Sequence, residues 1–286
     1  MLSLTRTVAP AGHEPDAHVQ RLGRAAVAAL YDELALAPKP GLVSFVDSGS
    51  HTDMDATTFM RSLFALRGYF ARIAMAGAAC APFVELEALG IQAEARMLAA
   101  TRGINTHRGA VFTLGLLSAA AGQCAGSRSP ARLCDALRAS WGDALEARRR
   151  RAAASNGRRA AAAHGLRSAG DEAALGFPVV FEHALPALVR ARQQGLDDRH
   201  ARLQTLFEVI AVLDDTNLAH RGGLAGLRFA QAQAQAFLRA GGAARPDALA
   251  HAQAIHQAFV ARRLSPGGAA DVLAAAGFVE RVCRLA

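Results

Sequence analysis

VQRLGRAAVAALYDELALAPKPG, residues Val19 to Gly41, carries a helix and its stop signal in one line. Val19, Leu22, Ala26, Leu30 and Leu34 recur at helical spacing and line one face. The pattern ends at Pro38-Lys39-Pro40-Gly41, because each proline lacks an amide donor and disfavours helix in the residue before it. Similar apolar runs, separated by polar breaks, continue along the chain. Helices are expected at Ala56–Ala79 (Phe59, Leu63, Leu66 and Phe70 on one face), Val84–Thr101, Ala110–Ala121, Ala131–Ala154, Phe177–Gln194, Ala201–Leu213, Leu224–Arg239 and Ala248–Arg263. A last helix is expected from Ser265-Pro266 to about Arg284, with serine as cap and proline at the first position. Ser155–Asp171, with glycines and basic residues, reads as a loop, and Asp214–Gly223 as a polar interruption. With no strand-rich block and no linker, the expected fold is all-α. It is one compact multi-helix domain over 19–286, with functional loops at its helix ends, behind a loose lead over 1–18.

Composition agrees. Of 286 residues, 68 are alanine and only 6% are aromatic, which suits close-packed helices better than sheets. A chain 52% hydrophobic and 20% charged is not disordered. The apolar stretches Ile73–Val84 and Val111–Gly122 fall short of the roughly 20 residues that span a bilayer. MLSLTRTVAPAGHEPDAH has no apolar core of a signal peptide, so the expectation is a cytoplasmic protein without a membrane partner. Cys80, Cys124, Cys134 and Cys283 form no CxxC pair and read as reduced, mostly buried thiols.

The charge is lopsided. Thirty-one arginines accompany a single lysine, Lys39, and the net charge of +8 points to an anionic partner, nucleic acid first. The run Arg148–Arg151, however, lacks the interleaved aromatics on which single-strand binders stack bases and reads as a solvated face. Neither a Walker A lysine motif nor GxGxxG occurs.

The turns carry the chemistry. PKPG holds Lys39; then come His51-Thr52-Asp53-Met54-Asp55, Asn105-Thr106-His107-Arg108-Gly109, Asp215-Thr216-Asn217 and His220-Arg221-Gly222-Gly223. Helix N-termini and arginine or lysine bind phosphate, whereas carboxylates beside them imply a bridging Mg²⁺. Each piece has a plain alternative. Asp55 suits a helix cap, and His51 and His107 suit structural roles as well as functional ones. Asp214 and Asp215 point roughly 100° apart on a helix, so one at most faces a shared site, while Asn217 and Arg221 share a face.

Taken in order, these stretches resemble the triphosphoribosyl-dephospho-CoA synthase family. The matching residues are Pro38-Lys39-Pro40-Gly41-Leu42-Val43, His51 to Asp55 with Phe59 and Ser62, and Glu94 with Gly103 to Phe112. They continue with Glu172-Ala173, Gly176-Phe177-Pro178, Leu185-Pro186, Asp215-Thr216-Asn217, His220 to Gly223 and Ser265 to Asp271, spanning about Val19 to Ala276. Two positions depart from the pattern: Arg108 stands where some members have lysine, and Ala169 to Asp171 lack an arginine expected before Glu172.

The resemblance implies an all-α pentosyltransferase that joins ATP to the 2′-hydroxyl of 3′-dephospho-CoA and releases adenine. The product would be the prosthetic-group precursor for the acyl-carrier protein of malonate decarboxylase or citrate lyase, passed on to a holo-acyl-carrier-protein synthase; the alanine and arginine bias leans to malonate decarboxylase. Under this reading Asp53 and Asp215 hold Mg²⁺, and Glu94 is a further metal or base candidate. His107 joins these three as a catalytic residue. Lys39, His51, Asn105, Thr106, Arg108, Asn217, His220, Arg221, Gly222 and Gly223 bind substrate or its phosphates. Two other readings stay open: another Mg²⁺-dependent all-α enzyme on phosphorylated ribose, such as an ADP-ribose hydrolase, and a basic nucleic-acid-binding module. A hydrolase needs no acceptor, and a nucleic-acid binder loses affinity steeply with salt.

Overall fold

Helix α1 (His13–Ala35) buries the whole stripe of Val19, Leu22, Ala26, Leu30 and Leu34, as the 3.6-residue period requires. The computed structural model describes residues 13–124, 129–151 and 156–284, and among them there is no strand. Helix α1 reaches back to His13, inside the expected lead over 1–18, of which residues 1–12 lie outside the described residues.

The expected single helix over Ala56–Ala79 is two, α2 (Ala56–Leu66) and α3 (Tyr69–Ala78), with the break at Arg67-Gly68. Glycine is the costliest ordinary residue in a helix interior apart from proline, so the ladder yields there. Asp55 caps α2: its Oδ1 accepts the Thr58 N–H at 2.8 Å, and the plain reading of that residue holds.

Helices α4 (Phe83–Ala100) and α5 (Arg108–Gln123) follow. Nearly every residue of α5 from Ala110 to Gly122 is buried, because α1, α3, α4, α6 (Pro130–Arg151) and α13 (Gly267–Arg284) surround it. Small residues let α3 and α5 touch backbone to backbone. A side chain at Gly77 would run into the Ala119 carbonyl, and one at Gly122 into that of Ala74. This is what the alanine-rich composition does physically.

Within the expected loop 155–171 the described residues form α7 (Asn156–His164) and the start of α8 (Ala169–Ala174). Ser168 and Asp171 make a reciprocal cap for α8, with Ser168 N–H on Asp171 Oδ2 at 2.7 Å. A wide helical turn, Val179–Ala184, leads into α9 (Leu185–Gln193), then α10 (Asp198–Val212). Helix α11 spans Thr216–Arg239, so the expected interruption is helical from Thr216 and broken only at Gly223 (φ 63°, ψ −168°). Helix α12 (Ala248–Ala261) precedes α13.

Among the described residues no helix is long and apolar enough to cross a membrane. Of the four cysteines only Cys124 is buried outright, Cys134 and Cys283 are half-buried and Cys80 is exposed, fewer buried than expected. The basic run is matched by carboxylates: Arg148 meets Glu87 at 2.6 Å, and Arg149 meets Glu146 at 2.7 Å and Asp171 at 3.2 Å.

Candidate active site

The motif turns converge at the N-terminal ends of α5, α11 and α13. Asp215 is the knot. Its Oδ1 accepts N–H bonds from Asn217 (2.9 Å) and Leu218 (3.3 Å), capping α11, and its Oδ2 accepts one from Ala269 (2.9 Å) in the first turn of α13. The Gly268 N–H adds a fourth. Burial pushes its carboxyl up, against the pull of these amides. Glycine at 268 fits because a Cβ there would sit 3.1 Å from the carboxyl group. Asp215 therefore holds two helix ends, its oxygens accepting backbone amides. Asp214 turns the other way, accepting the Arg167 N–H at 3.2 Å, so one of the adjacent pair faces the site.

Lys39 is enclosed as well. It is 1% exposed, and its Nζ donates to Glu33 Oε1 (2.5 Å) and to the Glu33 carbonyl (2.7 Å) near the end of α1. It closes the helix C-terminus and neutralises a buried carboxylate. Burial lowers its pKa while Glu33 opposes the shift. A point ammonium bonding two acceptors of one residue fits here; a planar guanidinium does not. The Lys39 carbonyl accepts from His256 Nδ1 at 2.8 Å, and His256 Nε2 lies 3.3 Å from Asp47, which fastens the 44–50 loop to α12. Ser50 Oγ adds a bond to the Leu264 carbonyl at 2.6 Å.

An outer layer begins at Arg221. Its NH1 donates to the carbonyls of Ser50 and Arg263, both at 3.1 Å, and its NH2 to His51 Nδ1 at 3.0 Å. A guanidinium only donates, so His51 Nδ1 carries a lone pair and the ring proton sits on Nε2, directed to Ser265 Oγ at 2.9 Å. Burial, then Arg221, lowers the His51 pKa, which agrees with a neutral ring. Asp53 lies 3.6 Å from His51 Nδ1 and is 61% exposed. Asn217 and His220 are exposed. Gly222 packs against the Leu264 side chain, and Gly223 supplies the kink.

The third part is the turn into α5. Asn105 Oδ1 accepts the Arg108 N–H at 3.1 Å, and Arg108 pairs with Glu94, both partly exposed. His107 is 3% exposed, with Nδ1 2.6 Å from Ser62 Oγ and its ring edge-on to Phe59. Burial, helped by the Lys39 charge, pushes its pKa down to about 3, so the ring is neutral. His107 Nε2 and Thr106 Oγ1 are buried and have no hydrogen-bond partner. Native interiors rarely leave such atoms unmet without a bound molecule or water.

A model of the CitG family, ATP:dephospho-CoA triphosphoribosyl transferase, matches residues 19–286. The chain belongs to that family. It is 43% identical over 257 residues to a 2-(5″-triphosphoribosyl)-3′-dephosphocoenzyme-A synthase of Pectobacterium atrosepticum, covering 86% of this chain and 84% of the relative. It is 38% identical over 269 residues to a probable synthase of that name from Citrobacter koseri, covering 90% and 89%. No solved structure matches it.

In this CitG-family chain, the carboxylates expected to share a metal do not form one ligand set. Among the described residues no group of three or more His, Cys, Asp or Glu is placed to hold an ion. Asp53 is on the outside, Glu94 is paired with Arg108, and Asp215 is enclosed. The structure also adds residues that the motif reading passed over as site residues. Glu33 had no signal, lying inside a helical pattern. Ser62, Ser265 and Asp271 stood in the matched stretches. Asp271 lies against Gly109, where any side chain would collide with it, and accepts the Ala110 N–H. Before Glu172, Arg167 reaches the carboxylate at 3.3 Å, and Glu172 accepts the Val179 N–H at 3.1 Å, bracing the Gly176-Phe177-Pro178 turn.

Proposed function

We propose that the protein transfers the triphosphoribosyl group of ATP to the 2′-hydroxyl of 3′-dephospho-CoA, releasing adenine. The observation that carries the reading is the meeting of PKPG, HTDMD, NTHRG, DTN and SPGGAAD around one place, with carboxylates inside and cations at the edge. Breaking the bond from ribose C1′ to adenine builds positive charge on the sugar, which nearby carboxylates stabilise. The triphosphate needs cations, and Arg221, Arg108 and the amides of the Asn105–Gly109 turn offer them.

His107 and Thr106 orient the sugar through their unpartnered atoms. Asp215 and Lys39 act by holding the helix ends beneath. Mg²⁺ enters as part of the substrate, MgATP: it keeps several waters and takes one or two carboxylates besides phosphates, so no prebuilt cage is required. Asp53 is the exposed carboxylate suited to that contact, with Glu94 next. The product then serves the acyl-carrier protein of malonate decarboxylase or citrate lyase, through a holo-acyl-carrier-protein synthase, in the cytoplasm.

The test is chemical. Incubation with ATP, Mg²⁺ and dephospho-CoA should yield adenine and a conjugate of matching mass in equal amounts, with CoA a poor acceptor because its 3′-phosphate crowds the 2′-hydroxyl. Base release without any acceptor would favour a hydrolase instead.

A further inference from the structure

Three carboxylates meet beneath the turns, and they are neutralised unequally. Asp215 takes four backbone amides, and Glu33 takes the Lys39 ammonium at 2.5 Å. Asp271 takes one backbone amide, from Ala110, and the charges acting on it, Glu33 and Asp215, are both negative. Glu33 and Asp215 are buried, whereas Asp271 is half-buried. A second observation points to a ligand about one helical turn away, at the start of α5. The turn that donates the Ala110 amide also carries His107, whose ring feels the Lys39 charge and whose Nε2 is buried without a partner.

We propose that Asp271 is a catalytic residue, the group that accepts the proton of the attacking 2′-hydroxyl. The proposal rests on the transferase reading above. The hydroxyl oxygen bonds to C1′ of the ATP ribose as the C1′–N9 bond breaks. The electron pair of that bond leaves with adenine, which takes a proton from solvent; the hydroxyl proton passes to Asp271 and then to solvent. Nothing is oxidised or reduced, and the triphosphate stays on the product.

The surroundings suit the task. Burial, Glu33 and Asp215 together hold the Asp271 carboxyl well above the usual carboxylate range, which makes it a stronger base than a solvated one. Glu33 on α1 and Asp215 at the start of α11 are the charged groups that act on it. Before it takes the proton, its negative charge also stabilises the charge growing on the sugar. Gly109 leaves the carboxyl its room.

The experiment measures adenine release across pH 5–9 for the wild type and for Asp271→Asn, with substrate binding by calorimetry and thermal unfolding alongside. The wild-type kcat should fall on the acid side at a pH above that of an ordinary carboxylate, since a protonated Asp271 accepts nothing. Asp271→Asn should lose about 10²–10⁴-fold in kcat and the acid limb with it, while the dissociation constants for ATP and dephospho-CoA stay within about threefold. An Asp271→Asn enzyme within tenfold of wild type and with the same acid limb overturns the proposal. So does a wild-type profile that stays flat down to pH 5, a result that needs no variant to fold. A wild type that releases no adenine with both substrates sinks the transferase reading itself, and this inference with it.

Discussion

Lys39 and Arg221 arise from the same kind of signal, a cation in a helix-breaking turn, and end in opposite surroundings. Lys39 is sealed under α1 against Glu33, while Arg221 lies at the edge, clasping two carbonyls and His51. The carboxylates divide likewise: Asp215 is enclosed by amides, whereas Asp53 and the Glu94–Arg108 pair face outward. The inner layer sets where three helices begin, and the outer layer faces outward. Residues from one set of motifs thus do two kinds of work.

The largest expected effect is on the inner layer. Lys39→Met leaves Glu33 buried and unpaired, and should lower the unfolding free energy by about 3–5 kcal/mol in urea titrations. Lys39→Arg should also destabilise, through a fork that has no space. If either variant kept full stability and lost only ATP affinity, Lys39 would belong to the outer layer and the division would break.

A smaller effect comes from His107. Its folded pKa of about 3 lies below the ordinary 6.5, so between those values the unfolded chain binds more protons. The His107 contribution is complete above pH 6.5 and is lost as pH falls toward 3. At pH 5 the loss is about 2 kcal/mol relative to pH 8. His107→Asn, compared with wild type at both pH values, should remove that difference; an equal pH dependence in both proteins would show that the ring titrates freely.

For the outer layer the expectation moves from stability to binding. Arg221→Ala should raise the KM for ATP roughly tenfold, the worth of one charge-assisted hydrogen bond, with a smaller loss of stability than Lys39→Met. The smallest effect belongs to the arginine run. Arg149→Ala, remote from these turns and paired with Glu146 and Asp171, should leave turnover and the unfolding midpoint unchanged.

Much of this was legible along the chain. The apolar stripe of α1, the stop at PKPG, and the run Ala110–Ala121 need only helical period and proline chemistry, and each is where the pattern puts it. The start of α8 is readable too, since Ser168 and Asp171 stand at capping-box spacing, although the glycines and arginines of that stretch point to a loop. The inner layer was not legible. Glu33 meets Lys39 only because α1 ends with its last turn over PKPG, and Asp215 meets Ala269 across 54 residues of chain. Local pattern marks a residue as polar and near a helix end; the packing of α5, α11 and α13 decides which way it faces.

Asp215 and Asp53, both expected to hold metal, separate the two layers most directly. The measurement is the unfolding free energy of Asp215→Asn beside that of Asp53→Asn. In Asp215→Asn the new amide group points N–H at N–H, leaving buried helix-end amides unmet; the loss should be about 3 kcal/mol, with Asp53→Asn within about 0.5 kcal/mol of wild type. Equal, small losses in the two variants would contradict the account, returning Asp215 to the surface that meets the substrate.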